Sequence, residues 1–328
     1  MRRNDETPDA MSVADRDLMD ESSGAIQAAL GAARASRSPA RALVALVRPR
    51  QWIKNSVIFA ALVFSHTLTD MSHLVRSLLA FGLFCAISSA VYALNDIMDL
   101  ESDRAHPTKS RRPLAAGELS VGVAGALGLA LALGGLVLAY RLSPPFAALA
   151  ALYLMSNLLY SAWLKKVVIV DVMILSSGFV IRAIAGGVVI GVEVSAWLIL
   201  CTVLLSLFLG FTKRRQELAL LESRAQDTRA ILREYSIGFL DQMISIVTAG
   251  TLVAYFLYTL APETRAKLGT PYLPLTIPFV LYGIFRYLYL VHQRHMGENP
   301  TGALYADPPL LINVVLWVLS AVAILYFR

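Results

Sequence analysis

The chain has 328 residues, of which 57% are hydrophobic and only 16% are charged, and its formal net charge is +6. A soluble domain contains about 45–50% apolar and about 25% charged residues, and the mean hydropathy of +0.61 excludes that class. The apolar segments are uninterrupted over about twenty residues, the length of a spanning helix, and lack the alternation of a spanning strand. The composition predicts an all-α integral membrane protein and excludes a transmembrane barrel.

The N-terminal stretch, residues 1–44, mixes acidic and basic side chains and lacks the apolar core of a signal peptide. We expect it to be a disordered cytoplasmic tail, followed by one transmembrane domain over residues 45–328. Cys85 and Cys201 both lie in apolar segments, so the sequence offers no disulfide framework and no cysteine metal site.

Apolar segments predict about nine transmembrane helices. In chain order they are 55–70, 73–97, 120–140, 145–163, 168–190, 194–212, 239–261, 273–292 and 309–327. With the N-terminus inside, 22 of the 29 lysines and arginines lie on the inner side and five on the outer side. This asymmetry follows the positive-inside rule. We therefore expect an inner (plasma) membrane protein with a cytoplasmic N-terminus, an outer C-terminus and its chemistry facing the cytoplasm.

A basic and aromatic cluster, Arg48-Pro-Arg-Gln-Trp-Ile-Lys-Asn55, precedes the first predicted span. Tryptophan and cations at the headgroup level are typical of an interfacial anchor. The cations Arg48 and Lys54 are also suited to an anionic ligand, and the composition leaves both interpretations open.

Acidic residues cluster where the second predicted span ends. At 100° per residue, Asn95, Asp96, Asp99 and Asp103 fall within an arc of about 100°, while Glu101 points away. Three carboxylates and an amide on one face repel one another unless a cation lies among them, and oxygen ligands of this kind suit Mg²⁺. The alternative is a solvated helix end whose acids pair with the basic residues that follow.

Those basic residues, Lys109, Arg111 and Arg112, lie on a proline-punctuated loop. Cations in this position can grip a diphosphate across its metal ion. Acids and cations together predict a phosphorylated ligand.

Two ionisable residues of the fifth predicted span, Asp171 and Arg182, are eleven residues apart and so lie on one helix face, roughly 16 Å apart along the axis. An arginine deep in the bilayer costs at least about 2.5–3.5 kcal/mol, which favours a cavity-facing contact with an anion. The alternative is a structural role, in which Arg182 binds Asp171 or a backbone carbonyl.

After the sixth predicted span, leucines on a helical period with charges between them predict an amphipathic helix on the membrane surface from Thr212 onward. Lys213 and Arg214 are candidates to contact a polar substrate there, and a plain surface helix is the alternative. Tyr235 and Asp241 are weaker candidates. The five histidines share no ligand spacing, and we expect them to be structural.

Asn95-Asp-x-x-Asp-x-x-x-Asp103 and the loop Pro107-Thr-Lys-Ser-Arg-Arg-Pro-Leu-Ala-Ala-Gly117 resemble the first aspartate motif of the UbiA superfamily of intramembrane prenyltransferases. The resemblance covers about residues 45–327 and implies nine helices around a central cavity, with the motif binding a diphosphate through Mg²⁺. It also implies a second motif with a tyrosine, a lysine four residues on and an aspartate pair. Here Lys165 follows Tyr160 by five residues, and Leu175 stands where a second acid would follow Asp171, which leaves a second metal site open.

The Arg48–Asn55 cluster, the aspartate motif and the segment Asp171–Gly187 together resemble the decaprenyl-phosphate phosphoribosyltransferase branch of that superfamily. This implies Mg²⁺-dependent transfer of 5-phosphoribose from phosphoribosyl diphosphate to a polyprenyl (decaprenyl) phosphate, releasing diphosphate, for cell-wall arabinan precursors. The implied catalytic residues are Asp96, Asp99, Asp103, Lys109 and Arg112, and the implied metal ligands are Asn95, Asp96, Asp99 and Asp103. The implied substrate contacts are Asn95, Arg111, Arg48, Gln51, Lys54, Tyr160, Lys165, Asp171, Arg182, Lys213 and Arg214.

Two other functions fit parts of the pattern. A prenyltransferase that uses an allylic diphosphate and an aromatic acceptor would share the metal site but have an apolar donor cavity. A non-enzymatic lipid or cation carrier would use the acids for a transported cation, but transporters place such sites near the bilayer midplane. We expect membrane lipid and no nucleic acid as further partners, and the sequence leaves a homo-oligomer open.

Overall fold

The computed structural model describes residues 38–106, 108–222, 234–294, 296–297 and 300–327. Of the predicted N-terminal tail, residues 1–37 lie outside the described part. Every regular element within it is helical. In chain order the α-helices are α1 Pro39–Val47, α2 Phe59–Phe64, α3 Met71–Met98, α4 Leu100–Ala105, α5 Val121–Leu142, α6 Pro144–Ala162, α7 Val170–Ile190, α8 Ala196–Glu222, α9 Ile237–Leu260, α10 Pro262–Leu268, α11 Ile277–Gln293, α12 Pro300–Ala306 and α13 Pro308–Tyr326.

Eight helical segments in this part of the chain are long and apolar enough to cross a membrane. They are α3, α5 to α9, α11 with the turn before it, and α13, which confirms the membrane class. The first predicted span, 55–70, is instead a 3₁₀ segment, Pro49–Ile58, followed by the short α2. Pro49 begins that segment directly after Arg48, whose left-handed φ of 53° ends α1. The expected ninth crossing therefore stays a prediction.

The predicted surface helix from Thr212 onward is not a separate element. Helix α8 continues through this position to Glu222, and the side chains of Thr212, Arg214 and Gln216 are buried. The charged stretch extends a spanning helix in which Arg214 binds Asp171 of α7 and Thr212 donates to the backbone of its own helix, whereas the buried amide of Gln216 has no partner in the described part of the chain. Residues 223–233 lie outside the described part.

Consecutive spanning helices pack against one another, and one core joins α3, α6 and α7 through Phe84, Tyr153 and Ile181. The segment Pro49–Ile58 lies directly against α7 at Gly186, where an added Cβ would be 2.1 Å from the carbonyl oxygen of Ile58. Small residues permit this close approach of backbones in membrane helices. The contact fixes the Arg48–Asn55 cluster beside the bundle interior.

Because successive helices run antiparallel, one end of the bundle collects the ends of α3, α6 and α8 and the beginnings of α5, α7 and α9. We call it the acidic end, since α3 and α4 meet there at Asp99. A second sharp turn lies at Ile169, whose φ of 69° and ψ of −47° form a classic γ-turn closed by a hydrogen bond from Val170 to Val168. This turn is strained, and it begins the helix that carries Asp171.

Candidate functional site

The acidic cluster lies at the acidic end as the sequence predicts. Asp99 is the junction between α3 and α4, and the backbone bonds from Asp99 to Asn95 and from Asp103 to Asp99 keep the chain nearly helical through it. Asp96 and Asp103 are therefore on a common face, and both are buried. Glu101 is exposed, as predicted from its angle on the helix.

Cations from three separate segments hold these acids. Arg112 donates from Nη1 to Asp96 at 3.1 Å and to Asp103 at 2.5 Å, and Arg48 also donates to Asp96. Lys165 lies 2.8 Å from Asp99. The acids thus pair with basic groups, as the alternative interpretation expects, but two of the partners come from distant segments rather than from the following loop.

One carboxylate oxygen of the cluster has no partner. Asp96 Oδ2 is buried and accepts no hydrogen bond in the described part of the chain. No three acidic, histidine or cysteine side chains among the described residues lie close enough together to form a metal cage. Mg²⁺ is usually held by one or two carboxylates together with water and substrate phosphates. The residues therefore fit a metal ion whose remaining ligands come with a diphosphate.

Arg112, one of the three loop cations, contacts the acids directly. Lys109 and Arg111 lie on a 3₁₀ turn, where Lys109 is half-buried and Arg111 is exposed. Asn95 accepts a hydrogen bond from Ser161 at 2.5 Å, which ties α3 to α6. Ser161 was not among the residues predicted from the sequence.

The second predicted acid, Asp171, is fully buried and engaged on both oxygens. Arg214 donates from Nε to Asp171 at 2.6 Å, and the hydroxyl of Tyr235 donates at 2.8 Å. Arg214 also donates to Glu217 at 2.5 Å and to the hydroxyl of Tyr160 at 3.0 Å. Burial raises the pKa of Tyr235 to about 12, so this hydroxyl keeps its proton. The result is a closed network between α6, α7 and α8.

Arg182 does not meet Asp171. It is buried and donates to Asn55 at 2.6 Å, to the hydroxyl of Tyr153 at 2.8 Å and to the carbonyl of Gly178 at 2.8 Å. Its guanidinium also lies 4.4 Å from the centre of the Tyr153 ring. The expected alternative, in which Arg182 binds a backbone carbonyl, is therefore confirmed in part. The three acceptors are uncharged, so they do not neutralise the positive charge of Arg182.

The Arg48–Asn55 cluster packs against the helices of the bundle rather than lying only at the membrane surface. Trp52 donates to Ser89 at 3.0 Å, Asn55 holds Arg182, and Gln51 is half-buried. Lys54 lies in none of the eight spanning helices. Burial, with the positive charges of Lys213, Arg182 and Arg48, lowers the pKa of Lys54 to about 7. An anion placed among these cations would favour the charged lysine.

A model of the UbiA prenyltransferase family matches residues 56–305. The chain belongs to this family. A relative from Mycolicibacterium smegmatis is named decaprenyl-phosphate phosphoribosyltransferase. It is 35% identical to this chain, and the match covers 87% of this chain and 92% of the relative. A relative of the same name from Corynebacterium glutamicum is 30% identical, with 86% of it and 87% of this chain covered.

The fold matches solved UbiA structures. A homologue from Archaeoglobus fulgidus, bound to GPP and Mg²⁺, superposes with a TM-score of 0.64 at 19% identity, covering 87% of this chain and 99% of the homologue. At this identity the likeness shows the UbiA fold alone. The predicted all-α UbiA architecture is confirmed.

Sequence reasoning missed several polar partners inside this UbiA bundle. Tyr153 holds Arg182, and Arg215 pairs at 2.5 Å with Asp241, which also lies 3.3 Å from His292. A buried arginine needs hydrogen-bond acceptors, so Tyr153 and Asn55 could have been predicted as partners of Arg182. Asp241 was a weak candidate by its position alone, and its contacts with Arg215 and His292 had no signal, because the three residues are far apart in sequence.

Proposed function

We propose that this protein transfers 5-phosphoribose from phosphoribosyl diphosphate to a polyprenyl phosphate and releases diphosphate. Relatives that are 30–35% identical over most of their length carry the name of this activity. Phosphoribosyl diphosphate carries phosphate groups at both ends of the molecule. The bundle offers cations at two positions that suit them, since Arg112 lies beside the acids and Lys54 lies near Arg182.

The donor's diphosphate would bind at the acidic cluster. The implied metal ligands, Asn95, Asp96, Asp99 and Asp103, do not form a closed cage in the described geometry. One or two of these carboxylates, with water and the diphosphate itself, would hold Mg²⁺, which neutralises the diphosphate and makes it a better leaving group. The observation that carries this assignment is the buried, unpartnered Oδ2 of Asp96, whose other oxygen, Oδ1, is bound by Arg48 and Arg112.

In the reaction, a phosphate oxygen of the lipid attacks the anomeric carbon of the ribose. The bond from that carbon to the diphosphate oxygen breaks, and its electron pair leaves with the diphosphate. The nucleophile is already an anion at neutral pH, so no general base is required and none is assigned. Lys109, Arg111 and Arg112 stabilise the negative charge that grows on the leaving group.

The remaining predicted contacts would orient the two substrates. Lys165 reaches Asp99 from the segment after α6 and is placed to move onto a diphosphate oxygen. Lys54 and Gln51 lie half-buried on the Pro49–Ile58 segment, and Arg48 and Lys213 add positive charge around Lys54. Tyr160 is also half-buried and would offer its hydroxyl to a substrate. The acidic end would face the cytoplasm of the inner membrane, which is the side that the distribution of basic residues predicts.

A donor competition tests this function. Purified protein in nanodiscs with Mg²⁺ receives labelled phosphoribosyl diphosphate with polyprenyl phosphate, or labelled prenyl diphosphate with an aromatic acid. We expect ribose label to enter the lipid phase and to stop doing so when the metal is chelated. If only the prenyl label moves, the enzyme is an ordinary UbiA prenyltransferase that uses an allylic diphosphate.

A further inference from the structure

The position of the second carboxylate site is occupied by protein. A divalent ion at Asp171 would need at least one free carboxylate oxygen and a second ligand nearby. Both oxygens of Asp171 accept hydrogen bonds, from Arg214 and Tyr235. One turn along α7, Leu175 offers no ligand atom. The residues at this position do not fit a metal ion.

The charges around Asp171 also exclude a divalent ion at this position. The side chains of Arg214 and Asp171 are only 1% and 0% exposed, and the nearby acid Glu217 binds both Arg214 at 2.5 Å and Lys213 at 3.7 Å. Two acids thus already face two cations. A bound divalent ion would have to displace a buried guanidinium that is fixed by three acceptors, or lie beside its positive charge.

We propose that the protein binds a single divalent ion per chain, at the acidic cluster of α3 and α4, and that Arg214 is the permanent cation of the second carboxylate position. This deepens the proposed function and rests on it for the nature of the diphosphate ligand. Arg214 would then be a positioning residue, since each of its three nitrogens donates to a protein group.

Tyr160 is the group that Arg214 positions. Its hydroxyl accepts a hydrogen bond from Arg214 at 3.0 Å, so its own proton is available to another acceptor. Tyr160 is half-buried, one residue before Ser161, which bonds to Asn95 in the acidic cluster. The arrangement assigns Tyr160 as a hydrogen-bond donor to an oxygen of the substrate, in a place where a metal ion would otherwise supply positive charge.

The test is the number of Mn²⁺ ions bound by the full-length protein in nanodiscs, measured by equilibrium dialysis and electron paramagnetic resonance with saturating inorganic diphosphate. We expect one Mn²⁺ per chain in the wild type and none in Asp99→Asn. We also expect one in Asp171→Asn. Two ions in the wild type, one of them lost in Asp171→Asn, would overturn the proposal.

The test does not require that Asp171→Asn folds. If Asp171→Asn fails to fold, the wild-type count still decides, because two Mn²⁺ ions per chain would contradict a single site. The measurement uses no donor and no turnover. A failed phosphoribose transfer with one bound Mn²⁺ would therefore reject the proposed function while leaving the metal count intact.

Discussion

Arg214 and Asp171 form a buried ion pair across α7 and α8, with Arg214 Nε 2.6 Å from Asp171 Oδ2. Removing one partner of such a pair leaves an uncompensated buried charge, which typically costs about 3–5 kcal/mol. We expect Asp171→Asn and Arg214→Met each to lower the melting temperature of the detergent-solubilised protein strongly. Thermal unfolding followed by tryptophan fluorescence measures this.

Arg215 is a matched control on the same helix. Its partner Asp241 is more exposed, with side-chain exposures of 14% and 39% for the pair, and exposed pairs contribute about 0–1 kcal/mol. Arg215→Met should therefore change the melting temperature much less than Arg214→Met. Equal losses in the two variants would show that the buried network does not hold α7 to α8.

Substitution of Asp99 distinguishes the loss of a metal ligand from a general loss of negative charge. We expect Asp99→Asn to lower kcat/KM for phosphoribose transfer by more than about 100-fold, because loss of a metal ligand should exceed the effect of losing an outer-shell partner. The control is Glu101→Gln, since Glu101 is exposed two residues away. A folded Asp99→Asn protein with activity equal to that of Glu101→Gln would remove Asp99 from the site.

The fold was largely predictable because hydrophobic length is a strong signal in membranes. The predicted span 73–97 is α3, Met71–Met98, and 168–190 is α7, Val170–Ile190. The first span was not predictable in detail, because its 3₁₀ geometry follows the left-handed Arg48 and the contact with Gly186. Both depend on tertiary packing, which has no local pattern.

The acidic cluster was predictable because the chain stays nearly helical from α3 through Asp99 into α4. Helical spacing alone therefore places Asp96 and Asp103 on a common face. The partner of Asp171 was not predictable, since Arg214 is 43 residues away. The charges around Arg214 also suggested a surface helix. Only the continuation of α8 into the bundle brings that arginine inside.

Arg112 is expected to act mainly on the chemical step. It bridges Asp96 and Asp103 without substrate, and it would pass to the leaving diphosphate as negative charge develops there. Loss of one such electrostatic donor typically lowers kcat by about 10²–10³. Steady-state kinetics of Arg112→Gln should show this drop in kcat. Arg104→Gln, at an exposed position in α4, is the control, and a change in KM alone would contradict the role.

The lowered pKa of Lys54 predicts that substrate binding depends on pH. Its pKa is lowered to about 7, so it is cationic below pH 7 and neutral above it. If the charged form binds a substrate phosphate, KM for that substrate should rise about tenfold for each pH unit well above 7. Initial rates from pH 6 to 9 measure this.

Lys54→Arg is the control for that profile, since arginine stays charged over the whole range. The substrate phosphates titrate identically with both proteins, so only the difference between the profiles reports on Lys54. We expect the rise in KM to be absent in Lys54→Arg. Parallel profiles would show that Lys54 does not contact the bound phosphate.

Gly186 tests whether the Pro49–Ile58 segment must lie directly on α7. An alanine Cβ there would be 2.1 Å from the carbonyl oxygen of Ile58, whereas a Cβ at Gly134 in α5 would meet nothing within 4 Å. Overpacking of this kind costs about 1–3 kcal/mol. We expect Gly186→Ala to lower the melting temperature and Gly134→Ala to leave it unchanged. Gly186→Ala should also weaken substrate binding, because Arg48, Lys54 and Asn55 move with the displaced segment; wild-type KM values in a destabilised protein would uncouple this packing from the site.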